Sequence, residues 1–269
     1  MASVVAIPAA AQPAWFSPEA LAAHFAEGVA NPALMRDELE RIYGAVPDAI
    51  WQVMERHMVS VTADPGYAPY VYVNGAPLVT MAMTIEDLAT VTTRVDLLAT
   101  TNGILRLSQK RQEALLRVSG DVFRWMGENR PDSCPEAMLG DDIMAAGREE
   151  LAFVAAQSPA YVDAYYSVVY AALAAEIAGA PEMRRVEQEL DALAPFDAYQ
   201  AAVIDIVAAS PNAEEIIRAI TTGTTGTPAV LCEFGAITID AIFTLTPAER
   251  QTVVLGILGE AAGVSMIPD

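Results

Sequence analysis

A capping residue followed directly by proline recurs along this chain, at Ser17-Pro18, Asn31-Pro32, Ser158-Pro159, Ser210-Pro211 and Thr246-Pro247. Each pair offers a side-chain oxygen to the orphan amides of a first helical turn, and a proline whose fixed φ suits the position after the cap. Thr246 is followed three residues later by Glu249, which completes a capping box. Pro47, Pro135 and Pro181 open further helical patterns. Cap and periodicity together predict helices over 18–28, 32–43, 47–61, 84–101, 103–127, 135–157, 159–179, 181–193, 196–209, 211–221 and 247–262.

Two stretches depart from that pattern. Between Ala63 and Met83 the chain reads Tyr70-Val71-Tyr72-Val73, then Asn74-Gly75, then an apolar run, which predicts a β-hairpin with a type I′ turn. Pro69 and Pro77 confine it to edge strands, because neither donates to a ladder. Thr221 to Pro228 is rich in threonine and glycine and predicts a loop before the buried run Ala229 to Leu245; it lacks the lysine and spacing of a phosphate-binding loop. The expected fold class is therefore mainly α, a multi-helix bundle or irregular helical array with a small β-hairpin excursion near 69–81. Residues 1–16 are expected to form a flexible N-terminal segment and 17–269 a single helical domain, with 17–62 as a candidate N-terminal subdomain.

With 269 residues and 54% hydrophobic content the chain can bury a sizeable core without disulfides or metal. Its 35 acids against 15 bases give a formal charge of −20, which repels phosphate backbones and argues against nucleic acid as a partner. A basic protein partner suits that field better. The longest uncharged runs contain several prolines, so no transmembrane span is expected. Lys110 is the one lysine, a scarcity that GC-rich coding produces by itself.

Cys134 and Cys232 are too far apart in sequence for a CxxC motif. They are candidates for a disulfide in an oxidising compartment, or for two buried thiols in a cytosolic protein. The start Met1 to Pro18 lacks a basic n-region, yet Ala9-Ala10-Ala11 resembles the small-residue end of an export signal. Both a cytoplasmic location and export after loss of a leader therefore stay open. Cys134 beside a helix start is also the best placed reactive group.

Arg106, Lys110, Glu113, Arg117, Asp121 and Arg124 follow one another by three or four residues and form a mixed-charge stripe. The segment Arg94–Arg130 holds seven bases and four acids, net +3 against −23 for the remainder. Pairing with acidic neighbours such as Asp141, Asp142, Glu149 and Glu150 is the expected role, and an anion site the alternative. Tyr161, Tyr165, Tyr166 and Tyr170 share a helix that is apolar nearly all round, which places it centrally, with its phenols either bonded or lining a pocket. His24 and His57 belong to no HExxH or ExxH pattern, and no GxSxG or SxxK motif is present.

No catalytic residue, metal ligand or cofactor is assigned on this basis. The leading expectation is a non-enzymatic helical interaction protein, such as a chaperone, inhibitor, immunity-type protein or assembly factor, whose acidic surface meets a protein partner. Alternatives are a small-ligand binder or enzyme with a pocket among helices, and an exported protein or effector. The candidate partner or ligand contacts are Tyr70, Tyr72, Asn74, Arg106, Lys110, Arg117, Arg124 and Tyr165.

Overall fold

A computed structural model describes residues 12–139, 143–184, 193–222 and 227–261. Among these are thirteen α-helices: α1 (Pro18–Ala30), α2 (Pro32–Tyr43), α3 (Asp48–Thr62), α4 (Tyr67–Gly75), α5 (Leu88–Ile104), α6 (Gln109–Asn129), α7 (Cys134–Leu139), α8 (Ile143–Ala155), α9 (Pro159–Ala178), α10 (Leu193–Ala209), α11 (Ala213–Thr222), α12 (Ala229–Thr244) and α13 (Pro247–Ala261). Several caps act as their sequence signals predict. Ser17 Oγ accepts from the Ala20 amide at 3.2 Å, and Ser158 Oγ from the Tyr161 amide at 3.3 Å. Thr246 and Glu249 close their box, with the Thr246 amide donating to Glu249 Oε2 at 3.0 Å. Ser210 does otherwise: it donates to Glu233 Oε1 at 2.5 Å and accepts from the Asn212 amide, and the helix begins only at Ala213.

The expected β-hairpin is absent, and no strand occurs among the described residues. Residues 67–75 are α4 and Ala76–Leu78 a 3₁₀ turn. The alternation Tyr-Val-Tyr-Val suggests a period of two, but burial follows the helical period: Tyr67, Ala68, Val71 and Gly75 face inward. Pro69 falls in the first turn, where its missing amide would be unbonded anyway. Asn74 Nδ2 donates back one turn to the Tyr70 carbonyl at 2.9 Å. Gly75 has φ −81°, so it makes no I′ turn. Its lack of a side chain serves packing, since a Cβ there would lie 3.0 Å from Val91 and 3.1 Å from Phe16.

The break expected between helices 84–101 and 103–127 lies further on: α5 ends at Ile104, α6 begins at Gln109, and the break is closed by the buried Gln112, whose Nε2 donates to the Ile104 carbonyl at 2.9 Å. Helices α7 and α8 flank residues 140–142, which lie outside the described residues, as do most of the expected helix 181–193 and 223–226 of the Thr/Gly loop; residues 181–184 are not helical.

Four apolar clusters form the interior. α9 supplies Val162, Tyr165, Tyr166, Val168 and Ala172 to one that also takes in α3 and α8, and Leu173 to a second with Phe16, α4 and α5. α12 supplies Val230, Leu231, Cys232 and Ile237 to a third and Ile242 to a fourth. α6 joins three of them through Leu115, Leu116 and Met126. Cys134 and Cys232, both fully buried, are disulfide-bonded with Cα atoms 5.2 Å apart, tying α7 to α12.

Helices α5 and α9 approach closely at Gly103, where a Cβ would lie 1.9 Å from the Ala172 carbonyl oxygen. An alanine at a helix interior normally gains about 1 kcal/mol over glycine. A collision with backbone outweighs that gain, and Gly103→Ala is expected to lose about 3 kcal/mol in urea unfolding. Reduction of the disulfide is expected to lower stability by about 2–4 kcal/mol, because it opens a long closed loop. Thiol titration of native and reduced protein, followed by unfolding of each, measures this; two reactive thiols in unreduced native protein would contradict it.

Candidate functional site

Six helices, α1 to α5 and α9, leave a cavity of about 140 Å³ at the centre of the N-terminal half. α5 provides one wall through a stripe spaced by four residues, Leu88, Thr92 and Asp96, with Ala89 and Thr93 beside it. α1 adds His24 and Phe25, α2 and α3 add Met35 and Met58, α4 adds Tyr67, and α9 adds Tyr170 and Leu173. The lining is mostly apolar and aromatic, with His24, three threonines and one carboxylate as its other polar groups.

That carboxylate is Asp96. The Tyr67 hydroxyl donates to both of its oxygens, at 3.0 and 2.9 Å. Among the described residues no cation pairs with it, in contrast to Glu176, which Arg106 Nε meets at 2.7 Å, and Glu113, which Arg250 meets at 3.5 Å. The side chain keeps a half-buried edge on the cavity, yet desolvation pushes its pKa up to about 7, with the Tyr67 hydrogen bond opposing the rise. Tyr67 is pushed well above the usual phenol range by burial and then by Asp96, and Tyr170 is raised for the same two reasons, so both stay protonated. Phe25 packs on Tyr67 with ring centroids 4.8 Å apart. The nearby hydroxyls are turned to their own helices: Thr92 donates to the Leu88 and Ala89 carbonyls, and Thr62 to Met58. The Tyr170 hydroxyl has no hydrogen-bond partner among the described residues.

A second cavity of about 300 Å³ lies between α3 and α9 and shares Val61 and Tyr170 with the first. His57 lines it, stacked on Tyr170 at 5.8 Å and held by Asp163 at 2.9 Å from Nε2. Ser60 and Ser167 donate to main-chain carbonyls, at 2.7 Å each, and neither bonds to His57 Nε2. Among the described residues no group of three or more His, Cys, Asp or Glu side chains is arranged to hold a metal ion. No helix among them is long and apolar enough to cross a membrane.

The residues singled out by sequence are dispersed. Tyr70 and Tyr72 are half-buried on α4, with Tyr72 against Phe16, while Asn74 is exposed. Burial, and then the charge of Glu176, pushes Tyr70 up to about 12. Arg106 lies in the break between α5 and α6, bonded to Glu176 and the Pro181 carbonyl. Lys110 is exposed on α6. Arg117 sits over the Phe243 ring at 3.7 Å, and Arg124 pairs with Asp121 and Asp240. Arg130 meets Glu149 at 3.1 Å. The Tyr165 hydroxyl donates to the half-buried Glu150. None of the eight candidate contacts lines the first cavity. Sequence reasoning missed Asp96, although one signal was present: an acid four residues after Thr92 and eight after Leu88, on the inward stripe of an apolar helix.

Comparisons with protein-family models, with curated proteins and with solved structures find no match for this chain.

Asp96 has a consequence for stability. A carboxyl whose folded pKa is raised favours the native state while it is protonated; that contribution is complete below the unfolded value, about 3.9, and is lost as pH rises toward about 7. Asp96→Asn, which stays neutral, is expected to match the parent at pH 4 and to exceed it at pH 8 by on the order of 1–3 kcal/mol. Urea unfolding at both pH values checks the sign.

Proposed function

We propose that this all-helical protein is a non-enzymatic binding protein that takes a small ligand into the cavity between α1–α5 and α9. One observation carries the reading: a half-buried carboxylate without a cation, on the wall of a cavity lined mostly by aromatic and apolar side chains. Interior acids are normally paired, and a pocket with few convergent polar groups is the usual form of a ligand site. The buried disulfide supports a setting where such bonds persist, outside the reducing cytosol.

A second, protein-facing reading rests on charge. Arg36, Arg106, Arg124, Arg130 and Arg250 are engaged with acids of the same chain, and this reading takes the surplus of 35 acids over 15 bases to lie on the surface. Such a surface suits a basic protein partner met by electrostatic steering. It is independent of the cavity.

A small aromatic fragment that fits the cavity is expected to raise the melting temperature by roughly 5–10 °C at a hundredfold excess over its Kd. Thr93→Trp, which fills the cavity from α5, is expected to remove the shift. Fragments that bind the variant as well as the parent would place the site elsewhere and end this reading.

A further inference from the structure

We propose that the ligand of this cavity is a small organic cation, a protonated amine on a compact apolar body, held by the Asp96 carboxylate and the ring faces of Phe25, Tyr67 and Tyr170. This rests on the small-ligand reading above and assigns its chemical class.

Charge selects the class first. Asp96 faces the cavity with a hydroxyl as its hydrogen-bond partner, so an incoming ammonium group supplies the counter-charge that the fold withholds. A carboxylate or phosphate would meet repulsion there, with the protein's net charge of −20 adding to it. The other acid held by a tyrosine alone, Glu150, is half-buried against Tyr165 and borders neither of these two cavities, so the opportunity is particular to Asp96. Aromatic faces select in the same direction, because their negative quadrupole attracts a desolvated cation. Phe25 and Tyr67 are already packed ring against ring at 4.8 Å, and Tyr170 stands across from them on α9.

Size selects next. A cavity of about 140 Å³ compares with the roughly 150 Å³ that admits benzene. The body attached to the ammonium is therefore a single ring or a short branched chain. Met35 and Met58 give that body soft, adaptable contacts. With Thr62 and Thr92 committed to their own helices, recognition of a second polar group falls to the Tyr170 hydroxyl, Thr93 and His24.

Calorimetric titration of the disulfide-bonded full chain at pH 8 with benzylammonium and with benzyl alcohol tests this, since the two differ in charge but hardly in shape. The amine is expected to bind about tenfold tighter or more than the alcohol, and Asp96→Asn to bring the two to near equality. Glu150→Gln, the same kind of change at an acid that is also held by a tyrosine but borders neither cavity, is expected to keep the preference. Circular dichroism of both variants verifies that they are folded. Equal binding of amine and alcohol by the parent would overturn the cation assignment and leave the cavity a ligand site. Amine binding that survives Asp96→Asn unchanged would assign the attraction to the acidic surface and overturn it too. Failure of both probes to bind would remove the cavity reading along with the cation.

Discussion

The arrangement of the N-terminal half depends on how closely α5 and α9 approach at Gly103. A Cβ there would stand 1.9 Å from the Ala172 carbonyl oxygen, so only hydrogen fits between the two backbones. This glycine is needed for proximity, not for an unusual backbone angle. The contact also sets register. Asp96 lies seven residues before Gly103, about two turns along the same face of α5. Tyr170 and Leu173 flank Ala172 on α9. Locking Gly103 onto Ala172 holds together α5 and α9, the two helices that bring Asp96 and Tyr170 to one cavity. Any side chain at position 103 would push the helices apart and change the cavity's width before changing its chemistry.

A chain with far more acids than bases cannot meet every interior carboxylate with an arginine. This one uses phenols for some of them. Tyr67 donates to Asp96 and Tyr165 to Glu150, each from another helix, and Tyr161 donates to the more exposed Asp121, which Arg124 also meets. A hydroxyl satisfies an acceptor without adding a second charge to be desolvated, which suits an interior poor in cations. It neutralises nothing, however, so burial still raises Asp96 and Glu150. Arginine meets other little-exposed acids, Arg106 pairing with Glu176 and Arg250 with Glu113, and both guanidinium groups also take up main-chain carbonyls.

The helical class and several helix starts were legible because caps are local: Ser17, Ser158 and Thr246 act within four residues of themselves. The segment 67–75 was not legible, because its alternation of tyrosine and valine is a local signal that distant partners override. Phe16, Val91 and Val95 bury a helical face of it, and Gly75 is present to let them approach. The charged stripe was read as one helix, yet Arg106 sits in the break where Gln112 reaches back to Ile104. The centrality of the tyrosine helix was readable from its lack of a polar face. The candidate site was hardly readable at all. Arg94 drew Asp96 into a basic segment by sequence, while in space Arg94 is exposed and Asp96 faces inward. Which side of α5 points to α9 is decided by Gly103, and nothing within a few residues of Asp96 announces it.

The bond between Cys134 and Cys232, 98 positions apart, gives the molecule a covalent topology of its own: a ring with two tails. α9 belongs to the ring, whereas α1 to α5 belong to the leading tail. The cavity is thus where a tail wraps onto a ring, walled on one side by Tyr170 and Leu173 and on the others by helices that no cross-link restrains. A single cut anywhere in the ring would leave the polypeptide in one piece. A single cut between α5 and α6 would instead free the larger part of the cavity wall as a separate chain, held to the rest by packing alone.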